Sequence, residues 1–150
     1  MLKFKSYMEI ALTEAKIAAR REEVPVGAVI VNKYGDTIAK SGNRIRELKD
    51  PTAHAEILTI REACMKQQSE RLIGHDIYVT LQPCKMCLQA IIHARIARLY
   101  YGAPDTSNAH LDINYIENGN HSLHPSLEIY PNIHEHESSK LIRQFFNERR

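Results

Sequence analysis

Cys84 and Cys87 stand three residues apart directly behind Pro83, and His54 precedes Glu56 by two. If a helix opens at Pro83, positions i and i+3 share one face of its first turn, and the two sulfurs are set to share a cation. An imidazole from His54 gives three protein ligands of a tetrahedral ion and leaves a fourth position for water. That is the donor count of a catalytic rather than a structural zinc. Such a site needs a base nearby. Glu56 is not required as a ligand and is placed to take a proton from the water and hand it to a substrate atom. Residues i and i+2 point about 200° apart on a regular helix, so His54 and Glu56 face one ion together only at a helix start.

Each fragment alone has a plainer reading. A C-x-x-C can be a redox pair, a His-x-Glu arises by chance, and a lone cysteine is usually a small core hydrophobe. The conjunction is more specific, because H-x-E followed by P-C-x-x-C is the signature of the zinc nucleobase deaminases.

The rest of the chain must hold these stretches in place. At 150 residues, 43% apolar and 25% charged, it has the size and composition of one soluble globular domain spanning 1–150. Met1 to Lys5 carries two lysines with no apolar stretch behind it, and no segment has the length of a membrane span. Three cysteines are too few for a disulfide scaffold, which suits a reducing, cytoplasmic setting, with Cys64 left to core packing. A net charge of +2 permits an RNA partner without arguing for one.

Apolar periodicity predicts an amphipathic helix over 4–21, then a near-continuous apolar strand from Val24 to Val31 covered on both faces. Turn residues 32–36 lead to a hairpin partner at 37–41, ended by Gly42-Asn43-Arg44. Asp50 as N-cap and Pro51 as first helical residue predict a helix whose opening turns carry His54 and Glu56. Strands follow at 77–81 and 96–102, with a helix from Pro83 to about Ala94 between them that places Cys84 at its N-terminus. A short helix at 109–117, a strand at 127–130 and a terminal helix from His134 complete the reading. The expected fold is α/β, a three-layer α/β/α sandwich around a mixed, mostly parallel five-stranded sheet. His110, His121, His124, His134 and His136 match no ligand spacing and are assigned no chemistry.

The chain resembles the cytidine deaminase-like superfamily, and within it the bacterial tRNA-specific adenosine deaminases. The resemblance rests on Glu23-Val24-Pro25-Val26-Gly27-Ala28-Val29, Asn43-Arg44, Asp50 to Glu56, Tyr78 to Leu81, the Pro83 to Cys87 motif, and Phe145-Phe146 before Arg149-Arg150. It implies a homodimer that converts adenosine to inosine at the wobble position of a tRNA anticodon loop. The implied roles are one zinc ion per chain on His54, Cys84 and Cys87, Glu56 as proton shuttle, and Asn43 holding the nucleoside, with Val26, Ala55 and Pro83 about the base. Phe145, Phe146, Arg149, Arg150 and Asp105 are the implied RNA contacts, and Lys85 is a further cation near the motif. A target nucleotide in a single-stranded loop is splayed out at little cost, as attack on a base requires.

Departures lie on the substrate side. Pro104 stands where the family usually has Arg, 106–113 lacks glycine, His124-Pro125-Ser126 replaces an Asn-His-Arg-like stretch, and Gln82 stands where Glu is common before Pro-Cys. Two other readings share the motifs. A free-base or nucleoside deaminase uses the same zinc site. A non-catalytic, zinc-stapled RNA-binding module instead requires a fourth protein ligand, such as Cys64 or His93, and has no need of Glu56.

Overall fold

The computed structural model describes residues 2–106 and 127–149. Helix α1 (Leu2–Arg20) leads into strand β1 (Gly27–Val31), which turns back through 32–36 into β2 (Thr37–Gly42). The hairpin is antiparallel and its register shifts at Ile30/Val31. A single turn of helix, α2 (Ile45–Leu48), and then α3 (Ala55–Gln67) lead to β3 (Asp76–Leu81). Helix α4 (Lys85–His93), β4 (Arg98–Ala103), β5 (Glu128–Tyr130) and α5 (Glu135–Asn147) complete the described chain. The sheet order is β2-β1-β3-β4-β5. Strand β1 is antiparallel to both its neighbours while β3, β4 and β5 are mutually parallel, so β1 alone runs against the others.

Period-two alternation sorts the strand side chains into two cores. Ala28, Ile30, Ile77, Val79 and Leu99 point to a core closed by Ala55 and Ala63 of α3 and by Leu88, Ile91 and Ile92 of α4. Val29, Val31, Tyr78 and Tyr100 point the other way, against Met8, Ala11 and Leu12 of α1, with Leu141 of α5 beside them. The sandwich is therefore three-layered, as the sequence predicts. On the α1 face Tyr78 and Tyr100 stack at 4.4 Å and Tyr100 and Tyr130 at 5.0 Å, a ring ladder across the parallel strands.

The apolar run from Val24 contributes only its second part to the sheet. Pro25 has no N–H to donate, and the Val26 N–H turns back to the Val24 carbonyl at 2.8 Å, so pairing begins at Gly27. Nor does a helix open at Pro51. The Asp50 carboxylate accepts the Thr52 N–H and hydroxyl, the Ala53 N–H closes a turn on Asp50, and α3 begins four residues later with His54 as its extended N-cap. The predicted start at Pro83 likewise moves to Lys85, with Cys84 extended at the N-cap. The helix expected at 109–117 falls outside the described residues.

Candidate active site

The two shifted helix starts bring the metal donors together. His54 and Cys84 are the N-caps of α3 and α4, and Cys87 lies in the first turn of α4. Their ligand atoms all lie within 4.8 Å of one another. His54 Nδ1 is 3.8 Å from Cys84 Sγ and 3.5 Å from Cys87 Sγ. A nitrogen at about 2.05 Å and a sulfur at about 2.3 Å from one ion, a tetrahedral angle apart, are separated by about 3.6 Å. The donor set therefore fits a single zinc ion. Among the described residues no fourth His, Cys, Asp or Glu joins the cluster. Cys64, on α3, packs against the core, and His93 is exposed at the far end of α4. The arrangement is that of an open site, and the fourth ligand required by a purely structural zinc is missing from this set.

Without the ion the two thiols of the cluster already differ. A hydrogen bond from the Cys87 thiol, and another from His54, lower the Cys84 thiol to about 4, against the opposing effect of burial. Cys87 is pushed far up, because it serves as the donor to Cys84 and lies buried beside Glu56. The hydrogen bond to Cys84 raises His54.

Glu56 is the second residue of α3 and is 4% exposed, with its Oε1 left without a hydrogen-bond partner. Burial raises its carboxyl to about 7, with the His54 charge pulling the other way. A carboxyl group poised near neutrality beside a metal-donor cluster has the tuning expected of a proton-transfer group.

His54, Glu56 and Cys84 line a cavity of about 230 Å³. Val24, Val26, Ile45 and Leu81 supply apolar walls, and Asn43, Gln82 and Asp105 supply polar groups. Asn43 follows the end of β2, and its Oδ1 accepts the Ala55 N–H at 2.7 Å. With the oxygen so engaged, the Nδ2 donor is what this amide offers to a ligand. Gln82 Oε1 accepts the Asp105 N–H at 3.0 Å, which fixes Asp105 at the cavity.

The remaining sequence assignments divide. Val26 and Asn43 line the cavity, whereas Ala55 and Pro83 do not: both are buried, and the Ala55 backbone is engaged by Asn43. Phe145 is 7% exposed and forms part of the core, while Phe146 is 46% exposed. Arg149 lies over the Phe145 ring at 3.6 Å and pairs with Glu22. Lys85 is exposed in the first turn of α4, and Arg150 falls outside the described residues. No local sequence signal marks Val24, Ile45 or Leu81 as pocket walls. Ile45 in particular sits in a four-residue helix too short for any periodicity to announce.

A sheet flanked by helices on both faces, with His and two Cys gathered at two helix starts above a buried carboxyl, defines a zinc-dependent deaminase. The chain belongs to the cytidine and deoxycytidylate deaminase zinc-binding family, whose sequence model matches residues 1–103. Among curated relatives it is 50% identical to the tRNA-specific adenosine deaminase of Agrobacterium fabrum, over 96% of this chain and 94% of that one. A solved structure from work on A-to-I editing by tRNA:A34 deaminases at the wobble position of transfer RNA superposes with a TM-score of 0.83. It is 47% identical, over 91% of this chain and 98% of the other. Guanine deaminase from Nitrosomonas europaea, 19% identical over 94% of this chain and 83% of its own, shares the fold with a TM-score of 0.83.

Proposed function

We propose that the protein hydrolytically deaminates adenosine to inosine at the wobble position of a tRNA anticodon loop. The observation that carries the reading is a buried Glu56, one carboxylate oxygen unpartnered, beside three metal donors, with His54, Cys84 and Glu56 itself lining a small, apolar-walled cavity. Identity to tRNA-specific adenosine deaminases across nearly the whole of both chains supports the choice of substrate. At about 230 Å³ the cavity is below the roughly 300–1,000 Å³ of drug-sized pockets. It suits one base splayed from a single-stranded loop.

His54, Cys84 and Cys87 would hold the zinc, which when bound would supply Lewis acidity and an activated water at neutral pH. As the water oxygen bonds to the amine-bearing carbon, Glu56 would carry the first of the water's protons to the purine ring nitrogen and the second to the amino group, whose C–N bond then breaks to release ammonia. Asn43 donates from Nδ2 to the nucleoside, and Val26 packs against the base. Phe146 offers its exposed ring to the RNA, and Phe145 acts indirectly by seating Arg149. The chain works as one domain, as a homodimer, in the cytoplasm. No helix among the described residues is long and apolar enough to cross a membrane.

The test combines zinc-loaded protein with an anticodon stem-loop bearing adenosine at the wobble position, in parallel with free adenosine, adenine, guanine and cytosine. Products are scored by mass spectrometry. Inosine in the RNA alone, abolished by Glu56→Ala with zinc retained, is the expected result. Turnover of a free base or nucleoside and none in RNA would assign the departures near Pro104 to a rebuilt pocket. Unchanged effects on RNA in Glu56→Ala would turn the reading to a zinc-stapled binding module.

A further inference from the structure

Glu23 is 2% exposed, lies outside the cavity, and takes no part in the chemistry described above. Both its oxygens are engaged by one short segment: Oε1 accepts the Arg46 N–H at 3.1 Å and Oε2 the Glu47 N–H at 2.8 Å. These are two of the donors that a helix start leaves without intrahelical partners, here at the opening of α2. The neighbouring residues grip the same segment. Arg21 Nη2 donates to the Asn43 carbonyl at 3.1 Å, and Arg46 Nη1 donates to the Glu22 carbonyl at 3.3 Å. Glu22 holds a left-handed φ of 66°, which turns the chain sharply between α1 and Glu23.

The gripped segment begins at Asn43 and includes Ile45, and both line the cavity. Otherwise it is a loop with a single helical turn, and none of the α2 residues is buried. Asn43 itself is buried and held to Val26 and Ala55, but the α2 turn beside it has little packing of its own, and the grip from 21–23 supplies what packing does not. We propose that Glu23 is a positioning residue: by clamping the Arg46 and Glu47 amides from within, it sets the part of the base-cavity wall that carries Ile45, next to Asn43. A wall placed this way governs how well the base is seated, while the metal donors are held on α3 and α4.

The inference rests on the deaminase reading, and the experiment keeps the two apart. Zinc-loaded wild type, Glu23→Gln and Arg21→Gln are assayed on the wobble-adenosine stem-loop for KM and kcat, with zinc content and amide exchange measured on the same samples. Inactivity of the wild type would count against the substrate reading, and exchange would still report the clamp. Glu23→Gln keeps the shape but turns an NH₂ toward a backbone N–H. KM is expected to rise about tenfold, the scale of one lost hydrogen bond to a charged group. The expectation for kcat is a change of less than about twofold, with zinc retained and exchange faster only in 43–48. Arg21→Gln, at the outer side of the grip, is expected to shift KM in the same direction by less. Unchanged KM in Glu23→Gln would overturn the proposal, as would a fall in kcat with loss of zinc or faster exchange throughout α3 and α4. If Glu23→Gln does not fold, Arg21→Gln decides alone: raised KM with local exchange supports the clamp, and wild-type KM overturns it.

Discussion

Asn43 Oδ1 accepts the backbone N–H of Ala55 at 2.7 Å, which ties the end of β2 to the first residue of α3. One amide thus serves the fold with its oxygen and is free to serve a ligand with its nitrogen, and substitutions separate the two. Asn43→Ala leaves a buried N–H unpaired and should cost about 1–3 kcal/mol in urea denaturation. Asn43→Asp keeps an acceptor and should retain most of that stability, yet lose stem-loop turnover for want of a donor. Wild-type turnover in Asn43→Asp would show that Nδ2 does not hold the substrate.

Burial holds the Glu56 carboxyl near 7, above its ordinary value of 4.5. Between those pH values the folded protein keeps a proton that the unfolded chain has released, so this group lowers stability as pH rises through the window. Glutamine does not titrate. In zinc-free protein, the stability of Glu56→Gln relative to wild type should grow from pH 4.5 to 7 and then level off. At about 1.4 kcal/mol per unit the full gain is a few kcal/mol. Cys84 has the opposite slope, and the comparison of Glu56→Gln with wild type reads the carboxyl together with its interaction with His54 and Cys84. Urea melts at several pH values provide the check, and a difference that shrinks with pH would contradict the assignment.

Zinc removal should also expose an unusually acidic thiol. Cys84 is held at about 4 by its hydrogen bonds with Cys87 and His54, whereas burial raises Cys64 above the usual thiol value. At pH 6 iodoacetamide should therefore label Cys84 well before Cys64 in chelator-treated protein, and added zinc should protect it. Peptide mass spectrometry reads the order, and prior labelling of Cys64 would refute it.

Gly27 lies where α1 crosses β1. A Cβ at this position would stand 1.9 Å from the Ala11 carbonyl oxygen and 2.7 Å from the Ala15 nitrogen, both in helix backbone. Neither atom can rotate away, so Gly27→Ala must push α1 off the sheet. A loss of about 3 kcal/mol is expected in chemical denaturation, at the upper end for overpacking. A loss below about 1 kcal/mol would mean that the helix shifts freely.

The sequence by itself determined the donor set and the layers. His54, Cys84 and Cys87 are the right ligand types, and strand and helix periodicities place Val29 and Val31 on one face and Ala28 and Ile30 on the other, because both signals are local. Tertiary structure decided what local signals do not carry. Asp50 and Pro51 have the chemistry of a helix start, yet the Thr52 N–H and hydroxyl engage the Asp50 carboxylate and delay α3 to Ala55. That delay makes His54 a cap and puts Glu56 in the first turn, so residues that a continuous helix would point apart face one centre. Phe145 and Phe146 are adjacent and identical in type, but α5 has one face on the sheet, so the first is buried and the second exposed. Glu23 is an ordinary acidic residue in the chain. Only folding places its two oxygens against the Arg46 and Glu47 amides, more than twenty residues away, because that pairing depends on where α1 ends relative to the turn after β2.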